Sequence, residues 1–185
     1  MKKTAGGLVA SGDGWFVLNA KDARWYHAEG RPALCNLEGE TFFPQFGINI
    51  VVLGPGQPMA MYHWEADQED FLVLSGEALL IVEGDERPLE QWDLVHCPPR
   101  TNHVIIGAGD GPCVVVAVGA RILSVDNPDW GGYPVDETAL SHGAGVEQET
   151  SIPEEAYANV TPQRQPTAYQ PDWLGHVSAT DARTG

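Results

Sequence analysis

The chain has 185 residues, 43% of them hydrophobic, which is enough to bury one sizeable core but short for two full domains. Its formal charge is −16, from 26 acidic against 10 basic residues, and residues 65 to 93 carry ten acids against the single Arg87. Phosphates would be repelled over most of such a surface, which argues against nucleic acid and anionic membrane as partners.

In chain order, the start Met1-Lys2-Lys3 is basic, but the apolar stretch after it is short and broken by Gly6 and Gly7, so it does not read as a signal peptide. Residues 1 to 14 read as a loosely ordered arm, Trp15 to Leu18 as a short edge strand, and Asn19 as the cap of a brief turn through Trp25. The β-branched and aromatic run Phe42 to Leu53 is a strand, with Pro44 and Gly47 marking an edge or bend, and Gly54-Pro55-Gly56-Gln57-Pro58 turns the chain. Strands are predicted over 59 to 65, 69 to 75, 77 to 83, 86 to 90, 92 to 97, 102 to 107 and 113 to 122. Hairpin turns are expected at Ser75-Gly76-Glu77, Glu83-Gly84-Asp85 and Gly107 to Gly111. Many short strands with no long helical period between them predict an all-β sandwich or barrel.

Beyond that region, Asp126 to Gly132 reads as loop, and short helices are predicted over Asp136 to His142 and Pro153 to Ala158. A Pro-rich tail follows, expected to lie on the barrel or on a partner subunit. Three cysteines, Cys35, Cys97 and Cys113, lack any C-x-x-C spacing and read as reduced, mostly buried thiols. No apolar run is long enough to span a bilayer, and a cytoplasmic protein is expected.

The chemistry concentrates between Gly54 and Gly107. His63 and Glu65 stand two apart, so on a strand both side chains leave the same face, a metal-ligand spacing. Glu69 opens the apolar run Phe71-Leu72-Val73-Leu74, and His103 follows the turn signal Pro98-Pro99-Arg100-Thr101-Asn102. Two imidazoles and two carboxylates can then converge. Glu65 has two readings, as a fourth ligand or as an acid/base group beside the ligands. His96 and Cys97 point to opposite faces of their strand, and nothing nearby activates Cys97 as a nucleophile. No phosphate-binding glycine loop, G-x-S-x-G elbow or H-E-x-x-H helix is present.

These residues resemble the motifs of the cupin family, small jelly-roll β-barrels that often hold one metal ion. The first motif reads Gly, five residues, His-x-His, three or four residues, Glu, six residues, Gly. Here Gly56 precedes His63 by one residue more than the pattern, Glu65 stands at the second His, Glu69 falls at the expected spacing, and Gly76 follows it after six residues. The second motif reads Gly, five residues, Pro-x-Gly, two residues, His, three residues, Asn. Trp92 replaces its first Gly, Pro98 matches, Arg100 replaces the second Gly, His103 matches, and Gly107 replaces the Asn.

The resemblance covers residues 42 to 122 and implies a single cupin-type barrel over 42–123. An N-terminal arm over 1–41 and a C-terminal extension over 124–185 would flank it. It further implies one divalent metal ion per chain, iron, manganese, zinc or nickel, on His63, Glu65, Glu69 and His103. Met59, Met61, Phe71, Val73 and Ile105 are the expected lining of the pocket for a small-molecule ligand. Oxygenase-type chemistry is expected first, metal-dependent isomerisation or lyase chemistry second, and non-catalytic metabolite binding is the rival. A homodimer is expected.

Overall fold

A computed structural model describes residues 1–123 and 127–174. The described chain is mostly strand. It begins with a hairpin, β1 (Lys2–Thr4) and β2 (Gly7–Val9), then β3 (Trp25–His27), β4 (Ala33–Asn36) and β5 (Phe46–Leu53). The central region holds β6 (Trp64–Glu65), β7 (Glu69–Ser75), β8 (Glu77–Val82), β9 (Asp85–Leu89), β10 (Leu94–Cys97), β11 (His103–Ala108) and β12 (Cys113–Ala120). After β13 (Gly131–Gly132) come two short helices, α1 (Glu137–Ser141) and α2 (Pro153–Ala156), and a last strand, β14 (Gln165–Thr167).

Two antiparallel sheets dominate. The larger runs β10-β7-β12-β5-β4-β3-β14 and the smaller β11-β8-β9. Their facing sides share one core, in which Val51, Leu53, Phe71, Val73 and Val115 of the larger sheet meet Ala78, Leu80, Leu89 and Ile105 of the smaller. Side chains alternate along each strand, so the neighbours of these residues face outward and need cover of their own. Val52 and Val114 are covered by Trp25 and by Trp173 from the tail. Ile81, Val104 and Ile106 are covered by Tyr62, Ala139 and Ala144. Strands buried on both faces read as continuous apolar runs, which is how β5, β8, β11 and β12 look in sequence.

Several local expectations change. The arm is not loose at its start, since β1 and β2 pair and bury Val9. Trp15 to Leu18 forms no strand, and Trp15 is 93% exposed. The turn after Asn19 is present, with Asn19 Oδ1 accepting from Lys21 N at 2.9 Å. Residues 59 to 62 bend between two isolated bridges to β11, Pro58 with Ile106 and His63 with His103, so the predicted strand over 59 to 65 shrinks to β6, just two residues. Of the predicted loop from Asp126 to Gly132, Asp126 lies outside the described residues and Gly131–Gly132 pairs with β6. The larger sheet also reaches beyond 42–123, through β4, β3 and β14 of the tail, which follow β5 in that order to one edge. Both predicted helices form, α1 with Asp136 capping Ala139 N at 2.8 Å.

Gly84 does turn a hairpin, since β8 pairs with β9. Gly76 and Gly107 do not, because β7 and β8, like β11 and β12, belong to different sheets. Gly76 and the segment after Ala108 are corners where the chain changes layer, while Gly107 itself lies within β11 opposite Ala78. A Cβ on Gly76 would lie 2.4 Å from the Pro112 carbonyl oxygen, and its φ of 78° disfavours any side chain. Gly76→Ala is therefore expected to destabilise the fold by about 2 kcal/mol or more in urea unfolding, and a loss below about 0.5 kcal/mol would show that the corner relaxes freely.

Candidate metal centre

His63 and His103 face each other as a bridged pair, His63 N donating to His103 O at 3.1 Å and His103 N to His63 O at 2.8 Å. This pairing brings the two rings to a centroid distance of 4.9 Å. Each ring is also fixed at its far side: His63 Nδ1 lies 2.8 Å from Met61 O and His103 Nδ1 2.9 Å from Thr101 O. A carbonyl can only accept, so both Nδ1 atoms carry hydrogen and both Nε2 atoms turn a lone pair inward in the neutral rings. Glu69 opens β7, with its backbone opposite Cys97 of β10 and Gly119 of β12. Its Oε2 reaches His103 Nε2 at 3.3 Å and His63 Nε2 at 3.7 Å.

The three groups offer ligand atoms that all lie within 4.8 Å of one another. Among the described residues, His103 Nε2 and Glu69 Oε2 are buried and have only their own 3.3 Å contact, with no well-formed hydrogen bond. Buried polar atoms without partners are costly, and a cation at their common focus would satisfy them. Imidazole oriented through Nδ1–H and a carboxylate oxygen are ordinary ligands for iron, manganese, zinc or nickel. The residues present therefore fit a divalent ion.

Of the two readings of Glu65, fourth ligand or acid/base group, the geometry bears on the first. Its Oε1 is 3.9 Å from His63 Nε2, and it stands beside the convergent set of three without joining it. Its backbone is clamped from two sides, by β13 through Gly131 and by Arg100 N, which donates to Glu65 O at 2.7 Å. Gly131 allows this approach, since a Cβ there would lie 2.6 Å from Trp64 O. The Arg100 guanidinium stacks over the Trp64 ring at 4.5 Å and pairs with Asp129. Trp92 and Arg100, which stand at two glycine positions of the second motif, have φ of 78° and 68°. The backbone keeps the left-handed turns although the residue type has changed.

Charge inside the site is unevenly held. Burial pushes the His63 imidazole below its usual value. Burial also opposes ionisation of Glu69, but His103 and His63 outweigh it and hold the carboxyl low. At His103 burial disfavours the cation, while Cys97 and Glu69 beside it push the imidazole up to about 10. Glu65 goes the other way: burial first, then the Glu69 charge, raise it to about 7.

Two chambers meet at the cluster. The outer one, about 390 Å³, reaches Glu65 and Glu69 past Phe42, Arg121 and Trp130. The inner one, about 180 Å³, is walled by Leu34, Val51, Met59, Phe71 and Ile105, with His63, Glu69 and His103 on it. Of the expected lining, Met59, Phe71 and Ile105 are there. Val73 lies in the solid core, fully buried, and does not reach the chamber. Met61 is also displaced, packing outside against Tyr133, Val146 and Ala156, because the segment before His63 is not a regular strand and its alternation fails.

Asn49, Arg121 and Arg164 are chamber residues that sequence reasoning passed over. Asn49 left a signal, as a lone polar residue in Ile48-Asn49-Ile50-Val51. His96 is exposed and pairs with Asp70 at 2.7 Å, while Cys97 is buried, on opposite faces as expected. All three cysteines are free and buried. No helix among the described residues is long and apolar enough to cross a membrane.

Residues 49–119 match the cupin domain family. No curated protein matches the chain. Among solved structures, one from Acidithiobacillus ferrooxidans shares 30% identity over 42% of this chain and 51% of its own, with a TM-score of 0.41. A sugar phosphate isomerase of the cupin superfamily from Silicibacter pomeroyi shares 27% identity over 55% of this chain and 62% of its own, TM-score 0.43. The chain thus spans about half to three-fifths of the length of these two. The polyketide cyclase RemF from Streptomyces resistomycificus shares 12% identity over 58% of this chain and 80% of its own, TM-score 0.51, a likeness of fold alone. With its two-sheet jelly-roll architecture and its His63, Glu69 and His103 in the family's positions, the chain carries a cupin domain, and residues 49–119 belong to the cupin family.

Proposed function

We propose that this cupin is a mononuclear-metal enzyme acting on a small organic molecule, with oxygenation as its leading chemistry. The observation that carries the reading is the set of two imidazoles and one carboxylate, His63, His103 and Glu69, whose free ligand atoms converge within 4.8 Å. A 2-His-1-carboxylate face leaves positions open for substrate or dioxygen. A bound divalent ion would supply Lewis acidity and, if redox-active, electrons.

The chain's own residues do the rest. The apolar inner chamber excludes water and orients the substrate body. Glu65, with a carboxyl raised to about 7, is suited to hold or move a proton at neutral pH. That last feature favours a second reading, metal-dependent isomerisation or elimination, in which proton transfer is the whole reaction.

The test is to incubate iron-, manganese- and zinc-loaded protein with a metabolite library in air and under nitrogen, following oxygen uptake and products by mass spectrometry. Turnover with oxygen uptake is the expected outcome. Turnover that persists under nitrogen moves the assignment to isomerase or lyase chemistry. Ligands recovered intact in every arm overturn the enzyme reading in favour of a metabolite-binding cupin.

A further inference from the structure

The inner chamber carries one charged side chain besides the ligand residues, Arg164. It sits just before β14, whose pairing with β3 through Gln165 and His27 fixes its place. Its Nε donates to Pro32 O at 2.8 Å, and its terminal nitrogens make no hydrogen bond among the described residues. Three other arginines, Arg87, Arg100 and Arg121, each pair with a carboxylate. Among the described residues Arg164 pairs with no carboxylate, in an acidic chain. Its neighbour is another cation: the Arg31 side chain donates to Pro162 O at 3.3 Å and adds repulsion to a guanidinium that burial already disfavours. Arg31 borders the adjoining cleft, which shares Met59 and Ala60 with the inner chamber. A half-buried arginine without a counter-charge, beside a second one, is a place for an anion from outside the chain.

We propose that Arg164 is a specificity-determining residue of the inner chamber and binds the carboxylate of a small acid with an apolar body. This rests on the metal-enzyme reading above, because the other end of the molecule then faces His63, Glu69 and His103. The planar guanidinium matches a carboxylate in a two-point contact that no neutral isostere can reproduce. The walls Leu34, Val51, Met59 and Phe71 accept a short hydrocarbon chain or ring, and about 180 Å³ limits its size.

The test compares butyrate with butyramide by titration calorimetry on the full chain, metal-stripped and manganese-loaded. Wild type is expected to prefer butyrate by about tenfold or more in both forms. Arg164→Gln should bring the ratio to about one, and Arg164→Lys should keep part of it. Since Arg164 also anchors the tail to Pro32, a variant that only loosens the fold would weaken both ligands alike and leave the ratio intact. Equal binding of the two ligands by wild type, or a ratio that survives Arg164→Gln, overturns the proposal. Displacement of butyrate by equimolar inorganic phosphate overturns the carboxylate assignment. A preference present in metal-stripped protein that never takes up metal keeps the anion site and removes the metal reading. Normal metal uptake without the preference does the reverse.

Discussion

Replacing His63 and His103 together by alanine is expected to abolish metal binding, from about one divalent ion per chain to less than about a tenth. The two imidazoles supply two of the three convergent ligand atoms, and Glu69 alone is then one carboxylate in a half-dry cleft. The same change should erase the stabilisation by metal. An ion at a hundred times its Kd adds about 2.7 kcal/mol to wild type, which for a chain of this size is roughly 5–10 °C in the unfolding midpoint. The pH dependence has a definite sign. In the metal-free site Glu69 is held ionised and His103 protonated, so a cation entering the cluster displaces a proton from His103. Affinity should rise with pH, by about tenfold per unit between roughly pH 6 and 8. Elemental analysis after reconstitution with iron, manganese, zinc and nickel checks the first claim. Occupancy under about a tenth of an ion per wild-type chain sinks the metal centre.

How much of this site could be read from the residues depends on which contacts are local. The strands β7 to β12 announce themselves by composition, and their bounds fall within a few residues of expectation. Which sheet each strand joins is not local. Ser75-Gly76-Glu77 has the composition of a hairpin turn, yet Gly76 is a layer corner, and only the Pro112 carbonyl pressed against it reveals why glycine is required. Likewise, alternation correctly brought His63 and Glu65 to one side of the chain. It failed for Met61 in the same segment, because two single bridges hold that stretch in place of a continuous ladder. Trp92 and Arg100 look like departures from the cupin pattern in sequence, but their positive φ shows that the pattern's backbone demand is still met. Arg164 gave no local sign. It reaches the chamber only because β14 closes onto β3, a pairing across most of the chain's length, and an arginine in a Pro-rich tail carries no hint of that.

Glu65→Gln is expected to lower turnover by roughly 100-fold or more while making the metal-free protein more stable at neutral pH, two effects of opposite sign from one carboxyl group. Glu65 is a quarter exposed, and burial followed by the Glu69 charge raises its carboxyl from 4.5 to about 7. Between those two values the folded chain holds a proton that the unfolded chain has released. Stability of metal-stripped wild type should therefore fall as pH rises through that window, by on the order of 2 kcal/mol, and stay low above it. Glutamine has the same shape and cannot ionise, so the variant should match wild type near pH 4.5 and exceed it above about pH 7. A bound cation would relieve the same carboxylate, and the stability gap should narrow in manganese-loaded protein. Urea unfolding across pH 4.5 to 8, with and without manganese, gives the stability side, and initial rates on a substrate found in the library gives the other. Turnover within about threefold of wild type, together with parallel stability profiles, would show that Glu65 is only a wall of the outer chamber. A stability gap with unchanged turnover would keep the strained carboxyl but take proton transfer away from it, and Glu69, Tyr133 or a water would have to carry the proton. The predicted combination is what a site produces when a residue is held for chemistry against the interest of the fold.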